Sequence, residues 1–199
     1  MFKNIIEQSK WSESHGADSQ HLGMGAVYYT LPYVLKAETI VCLGSGAGFV
    51  PKLMVEAQKL LFEEGKIPAI NVHLIDANIG PWGLPVYNET GISDYPDINL
   101  IVSLTDEACD KFEKINYLHV DADHSYEQIY RDLTNYGSRM DLDKPWAITI
   151  HDTYNPPGGD HPEIGSYRAS RQWAEENGHD FVNFLVGCGT GLIMPRIGR

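Results

Sequence analysis

The chain is organised around the stretch Tyr117-Leu118-His119-Val120-Asp121-Ala122-Asp123-His124, a short apolar run that ends in carboxylates and an imidazole. A second apolar run, at 146–150, ends in the same way at His151-Asp152. Short runs of this composition, bounded by turn-forming residues, predict buried strands. Each strand then delivers charged side chains to its carboxyl end, which is the edge where open α/β sheets bind ligands.

The charged groups at these two strand ends predict a metal site. If the strands are neighbours in the sheet, Asp121, His151 and Asp152 converge on one divalent cation, with His124 beside it. In the alternative, the two strand ends are unrelated and Asp123 caps the helix that follows. A capping role for His124, and a hydrogen bond from His151 to the loop at 153–165, also stay open.

The rest of the chain predicts an α/β sheet. Further strands at 39–43, 71–75 and 98–104 alternate with helical stretches, and this order indicates a parallel sheet with right-handed crossovers. Two short strands, at 181–186 and 190–194, are joined by a glycine-rich turn and add an antiparallel edge.

Local signals divide the chain and place its helix ends. Residues 1–37 are predicted to form a helical cap, with a loop through 12–16, and residues 38–199 to form the cofactor-binding domain. Thr105 is predicted to cap a short helix, because a threonine hydroxyl at that position accepts a hydrogen bond from the first turn.

A glycine loop, Gly44-Ser45-Gly46-Ala47-Gly48, lies between a predicted strand and the helix predicted from Phe49. Glycines let the backbone approach a nucleotide closely, and the helix end offers unpaired N–H groups. The third glycine comes one residue too early for the dinucleotide fingerprint Gly-x-Gly-x-x-Gly. Asp76 ends the next strand, where a carboxylate can accept hydrogen bonds from a ribose. We therefore expect an adenosine ligand to contact Gly44, Ser45, Gly46, Gly48 and Asp76; a tight turn with a helix cap is the alternative.

The composition limits the partners. The net charge is −12, from 15 basic and 27 acidic residues, whereas nucleic acids and anionic membranes require a basic face. We therefore expect a small-molecule acceptor, no nucleic acid and no membrane; a homo-oligomer is compatible with the sequence. The 3 cysteines have no paired spacing, which suits a reducing compartment, so a cytoplasmic location is expected.

The segments quoted above resemble class I S-adenosylmethionine-dependent methyltransferases. The run 41–48, with Asp76, is similar to their cofactor motifs. The segment 120–127, followed by His151-Asp152, is similar to a small-molecule family that carries Asp-Gly-Asp-His-Ser-Tyr-Glu and a later His-Asp. The resemblance implies S-adenosylmethionine as the cofactor. It also implies a Rossmann-like fold: a mostly parallel seven-stranded sheet with an antiparallel C-terminal hairpin strand and helices on both faces.

The segment 120–124 also resembles the divalent-metal-dependent catechol and caffeoyl-coenzyme A O-methyltransferases. Their Val-Asp-Ala-Asp-Lys matches it with His124 in place of the lysine, and their later Asp-Asn falls on His151-Asp152. Two residues depart from the pattern. Cys42 stands where many methyltransferases have an acidic residue near the cofactor amine, and His151 brings an imidazole into an all-oxygen pair. An imidazole among carboxylates suits Mn, Fe or Zn as well as Mg.

Together these resemblances imply an enzyme that methylates a small-molecule hydroxyl with metal assistance, with Asp121 and His124 as catalytic residues. A metal on Asp121 and Asp152 would lower the pKa of the hydroxyl, and His124, with an ordinary imidazole pKa of about 6.5, would accept its proton. Sugars, polyketides, phenols and amino-sugar antibiotics fit the sequence equally as acceptors. A non-catalytic adenosine-cofactor-binding module and an NAD-dependent oxidoreductase on a related fold are the alternative functions.

Overall fold

The computed structural model describes residues 2–45, 48–77, 92, 95–154 and 165–196. Gly46 and most of the predicted loops at 77–97 and 153–165 lie outside these residues. The described helices are α1 (Phe2–Gln8), α2 (Gly25–Leu35), α3 (Phe49–Glu63), α4 (Thr105–Ala108), α5 (Tyr126–Gly137) and α6 (Gly165–Glu176), with 3₁₀ turns at Ser12–His15 and Cys109–Lys111. The described strands are β1 (Ile40–Gly44), β2 (Val72–Asp76), β3 (Ile98–Val102), β4 (Tyr117–Asp121), β5 (Ala147–His151), β6 (His179–Phe184) and β7 (Thr190–Pro195).

In the described part of the chain, seven strands form one sheet in the order β3-β2-β1-β4-β5-β7-β6. Strands β1 to β5 are parallel, and the hairpin of β6 and β7 adds the antiparallel edge beside β5. Strands β4 and β5 lie side by side with Val120 opposite Ile150, so their charged ends meet at one edge. The predicted fold class and the adjacency of these two strands are confirmed.

Helices cover both faces of the sheet, as predicted. Successive strand residues point to opposite faces, and each face has its own hydrophobic cluster. On one face Ile40 packs with Phe49 of α3, together with side chains of α1 and α2. On the other face Leu118 packs with Leu133 of α5 and Trp173 of α6. The sheet edge that carries the charged residues is therefore held from both sides by buried apolar contacts.

The N-terminal helices belong to the first of these clusters. Ile5 of α1 and Tyr28 of α2 are fully buried there. The division into a cap at 1–37 and a domain at 38–199 stays a prediction. None of the helices in the described ranges combines the length and the apolar character needed to cross a bilayer.

The predicted cap at Thr105 is wrong. Helix α4 begins after Leu104, which makes no side-chain capping bond. The Thr105 hydroxyl instead donates to the carboxylate of Asp132 on α5, at 2.6 Å. Asp132 is fully buried. A buried carboxylate without hydrogen-bond donors costs more free energy than an uncapped helix end that is exposed to water, so the hydroxyl bonds to Asp132.

Candidate functional site

The carboxyl ends of β1, β2, β4 and β5 border a cavity of about 1470 Å³. Small-molecule sites usually occupy roughly 300–1,000 Å³, so this cavity has room for a cofactor together with an acceptor. The residues that the sequence predicted for the site and that line the cavity are Gly44, Ser45, Asp76, Asp121, His124, His151 and Asp152.

Gly44 and Ser45, the first two residues of the glycine loop, line the cavity at the end of β1. Gly44 is paired with Asp121 in the sheet, and a Cβ on Gly44 would lie 2.1 Å from the Asp121 carbonyl oxygen. A side chain at position 44 is therefore excluded. Gly48 immediately precedes α3 as its N-cap, and Asp76 ends β2 at the cavity wall. Gly46, the remaining predicted contact, lies outside the described residues.

Unusual backbone conformations concentrate around the cavity. Among the described residues that carry a side chain, positive φ occurs at Trp11, Lys36, Ser45 and Asp152. Lys36 ends α2, whereas the other three all line the cavity. Such conformations cost about 1–3 kcal/mol each and are typical of functional sites, because the surrounding structure must hold them in place.

Two carboxylates and two imidazoles alternate at the ends of β4 and β5. The Nδ1 atom of His151 lies 3.1 Å from Asp121 Oδ1 and 3.3 Å from Asp152 Oδ1. The Nδ1 atom of His124 lies 2.8 Å from Asp152 Oδ2, and its Nε2 atom lies 3.4 Å from Asp121 Oδ1. The structure thus brings together the four residues that the sequence analysis proposed for metal binding and acid–base chemistry.

The electrostatics of this cluster favour charged carboxylates. Burial alone would raise the pKa of Asp121, but the charge of His151 and the contacts with other imidazoles outweigh it and hold the pKa well below its usual range. The pKa of Asp152 is likewise lowered, because His124 and His151 outweigh the effect of burial. Burial would lower the pKa of His151, yet the adjacent Asp121 raises it.

His124 differs from the expectation of an ordinary imidazole. Burial would lower its pKa, but hydrogen bonding to Asp121 and Asp152 raises the pKa of His124 to about 10. In this arrangement His124 carries a proton at neutral pH. The predicted capping alternative for His124 has no contact to support it, because the cap of α5 is Ser125, whose hydroxyl accepts from the Gln128 N–H.

Asp123 also lies apart from the charged cluster. Its carboxylate accepts a hydrogen bond from the Ser125 N–H at 2.8 Å, which shapes the turn before α5. This bond lowers the pKa of Asp123.

His119, which precedes Val120 on β4, is buried. Its Nδ1 atom lies 2.9 Å from the Thr149 hydroxyl. Its Nε2 atom has no hydrogen-bond partner among the described residues and lies 3.8 Å from Asp121 Oδ2. Burial lowers the pKa of His119.

The cluster also contains a residue that the sequence analysis missed. His15 belongs to the 3₁₀ turn Ser12–His15, which the sequence predicted as a loop, and it is only 3% exposed. Its ring lies against the ring of His151, with centroids 3.9 Å apart. Burial, followed by the charge of His151, holds the pKa of His15 well below its usual range. In the sequence, His15 is a single imidazole in a predicted loop. No spacing pattern predicted that it would contact the strand ends.

The donor set fits a divalent cation. The Nε2 atom of His151 lies 3.4 Å from the Ser14 carbonyl oxygen, an acceptor only, so this nitrogen carries a proton. The Nδ1 atom of the same ring then faces carboxylate oxygens of Asp121 and Asp152. A nitrogen lone pair and carboxylate oxygens repel one another unless a second proton or a cation lies between them. Imidazole and carboxylate ligands together suit Mn, Fe and Zn.

The fold is that of known methyltransferases. No protein-family model and no curated protein matches the chain. The O-methyltransferase from Streptomyces achromogenes involved in tomaymycin synthesis, solved with S-adenosylmethionine, is 12% identical, with a TM-score of 0.62 over 96% of this chain and 89% of its own. The O-methyltransferase from Bacillus cereus, solved with S-adenosylhomocysteine, is 9% identical, with a TM-score of 0.65 over 96% and 90%. A methyltransferase from Podospora anserina, also bound to S-adenosylhomocysteine, is 10% identical, with a TM-score of 0.66 over 97% and 88%.

Proposed function

We propose that the chain is an S-adenosylmethionine-dependent methyltransferase that methylates a hydroxyl group of a small molecule with the help of a divalent cation. One observation carries the proposal. A single cavity is lined both by Gly44 and Ser45 of the glycine loop with Asp76 and by the charged cluster around Asp121. The structural neighbours support it, because two of them are O-methyltransferases solved with S-adenosylmethionine or S-adenosylhomocysteine.

When bound, S-adenosylmethionine supplies an electrophilic methyl group: a carbon–oxygen bond forms to the acceptor, the carbon–sulfur bond breaks, and S-adenosylhomocysteine remains. The residues of the chain have to align the two reactants and receive the hydroxyl proton. We expect Gly44 and Ser45, which line the cavity, to contact the amino-acid end of the cofactor. We expect Asp76, at the end of β2, to accept hydrogen bonds from the ribose.

Asp121, His151 and Asp152 are the residues that would hold the cation, which lowers the pKa of a hydroxyl bound beside it. His124 is the proposed proton acceptor. Its pKa is raised to about 10, and a protonated imidazole cannot accept a second proton. His124 therefore has to lose its proton before it can accept one from the hydroxyl of the acceptor. Asp121 and Asp152 contact both nitrogens of His124, so the positive charge of a cation on the same carboxylates would disfavour the protonated form of His124.

Cofactor binding is tested by calorimetry on Asp76→Ala. We expect loss of charge-assisted hydrogen bonds to the ribose to weaken binding of S-adenosylhomocysteine by about 2–3 kcal/mol. Asp180→Ala is the matched control, because Asp180 is half exposed on β6, where it pairs with Arg196. Unchanged affinity in Asp76→Ala would contradict the role of Asp76. Tighter binding of NAD than of S-adenosylmethionine would favour the oxidoreductase alternative.

Turnover is tested with methyl-labelled S-adenosylmethionine and a panel of hydroxylated acceptors. We expect transfer to fall after exhaustive chelation and to return when Mg, Mn or Zn is added. Asp121→Asn should abolish the metal-stimulated rate while leaving cofactor affinity nearly unchanged. Full activity in the chelated protein would show that methyl transfer does not need a cation. The proposed methyltransferase activity itself would stand. Absence of transfer to every acceptor, despite cofactor binding, would favour the non-catalytic module.

A further inference from the structure

We propose that His15 is a further ligand of the cation, so that two histidines, His15 and His151, bind it together with the carboxylate of Asp121. The donor set makes this site selective for Zn, Co, Fe(II) or Mn over Mg. The inference rests on the cation of the proposed function, but it does not depend on the acceptor or on methyl transfer.

The three side chains offer a compact set of donor atoms. One potential ligand atom from each of His15, Asp121 and His151 lies within 4.8 Å of the other two. Bonds of about 2.0–2.1 Å place the ligands of a tetrahedral ion about 3.3–3.5 Å apart. The pair formed by Asp121 Oδ1 and His151 Nδ1 is already at 3.1 Å. The His15 atom, within 4.8 Å of both partners, would have to approach to ligand distance to complete the set.

The outer nitrogen of His15 has a partner of the kind that metal-bound histidines use. His15 Nδ1 lies 3.3 Å from the Tyr28 hydroxyl, which in turn lies 2.7 Å from the Thr190 hydroxyl. Tyr28 can therefore accept a hydrogen bond from the Nδ1–H of His15 and donate its own O–H to Thr190. In the tautomer that makes this bond the lone pair of His15 is on Nε2, and such outer hydrogen bonds typically orient a ligand.

The turn that carries His15 is tied to the far end of the chain. The Cys188 N–H donates to the Ser14 carbonyl oxygen at 2.7 Å. A Cβ on Gly187 would lie 2.0 Å from that same oxygen, so the two segments meet backbone to backbone. The Ser14 carbonyl also contacts His151 Nε2. The same short segment thus positions His15 and orients the imidazole of His151.

A second, independent observation points to a ligand at this place. His119 is fully buried, and its Nε2 atom has no hydrogen-bond partner in the described ranges although it lies 3.8 Å from Asp121 Oδ2. An unpaired buried polar atom is destabilising. A ligand held on Asp121, such as a hydrated cation, would supply the missing partner.

The donor types decide which cation fits. Mg²⁺ prefers oxygen ligands in a nearly octahedral arrangement and keeps much of its water. Imidazole nitrogen suits Zn, Fe, Co and Ni, and two histidines with one carboxylate form a common set for Fe(II). His15 and His151 would supply two nitrogens to one ion, whereas the strand ends alone supply one.

The test uses the full chain, freed of metal by chelation and titrated with Co²⁺ alone. We expect one Co²⁺ per chain, visible by its d–d absorption, with X-ray absorption showing two imidazole ligands. His15→Gln should weaken Co²⁺ binding by about 100-fold and reduce the imidazole count to one. His21→Gln is the control, because His21 lies in the same segment, pairs with Asp18 and is exposed. It should bind Co²⁺ like the unmodified protein.

Each outcome decides the inference. Equal Co²⁺ affinity and equal spectra for His15→Gln and the unmodified protein would show that His15 is not a ligand, and would leave the cation on Asp121 intact. Displacement of Co²⁺ by equimolar Mg²⁺, or no binding of Co²⁺ to the unmodified protein, would overturn the site. If circular dichroism shows that His15→Gln is unfolded, His15→Asn is titrated with Co²⁺ instead. The number of imidazole ligands in the unmodified protein is then the second measurement. Methyl transfer is measured separately, so its absence alone does not affect the result.

Discussion

Asp121 and Asp132 are two aspartates of one strand–helix unit whose side chains are largely withdrawn from water but whose charges differ. Asp121 ends β4 among imidazoles, and their positive charge outweighs burial and keeps its pKa well below the usual range. Asp132 lies on α5, where the Thr105 hydroxyl and the Gln128 amide donate to it. Burial dominates there, and the pKa of Asp132 is raised to about 6.

The comparison shows that burial alone does not decide the charge of a carboxylate. Neutral donors stabilise an anion less than cationic donors do, so they do not fully offset the loss of hydration. A carboxyl group has to be ionised to bind a metal. Of these two aspartates, only Asp121 has surroundings that keep its carboxyl group ionised. The two aspartates therefore respond in opposite ways to pH and to substitution, and three variants test this contrast.

Asp121→Asn should have the largest effect. Removing the carboxylate leaves Asp152 as the one carboxylate among the described residues that contacts the protonated imidazoles of His124 and His151, in place of two. We expect a loss of about 3–5 kcal/mol in unfolding free energy near pH 6 in chelator. The raised histidine pKa values make this contribution fullest below about pH 6.5, and it declines as pH rises towards the folded-state pKa of His124, about 10. Urea unfolding at pH 6 and pH 9 measures it.

Asp143→Asn is the control for that variant. Asp143 pairs with Lys114, but its side chain is 83% exposed, so its removal should change stability by less than about 1 kcal/mol. An equally small effect for Asp121→Asn at pH 6 would show that the imidazoles do not depend on Asp121 for their charge.

Asp132→Asn should have an intermediate effect of the opposite sign. A carboxyl whose pKa is raised on folding stabilises the protein fully below its unfolded pKa, about 3.9, and this contribution is lost as pH rises through about 6. The asparagine variant has no such loss. Relative to the unmodified protein, it should therefore gain on the order of 2–3 kcal/mol between pH 4 and pH 7.5. A constant difference across this range would contradict the raised pKa.

The sequence predicted the parts of this contrast that depend on strand ends. Asp121 and His151 follow apolar runs, and in parallel strands such ends meet at one edge once the strands are neighbours. His15 could not be placed, because its approach to His151 depends on contacts between the N-terminal turn and the β6–β7 turn. The pKa of His124 and the partner of Thr105 were missed for a related reason. Both depend on carboxylates that only the folded chain brings within reach.

Thr105→Val should have the smallest effect, and it probes the neutral donors directly. The change keeps the shape of the side chain but removes the hydroxyl that donates to Asp132 at 2.6 Å, leaving the Gln128 amide at 3.0 Å. We expect a cost of about 1 kcal/mol at pH 4.5, where Asp132 is protonated, and about 2 kcal/mol at pH 8, where the bond is charge-assisted. Thr134→Val on α5, the helix that carries Asp132, is the control, because its hydroxyl donates to the neutral Tyr130 carbonyl. Its cost should not change with pH. If the cost of Thr105→Val is also the same at both pH values, Asp132 does not change its charge in this range. Burial, and not the type of hydrogen-bond donor, would then explain how Asp132 differs from Asp121.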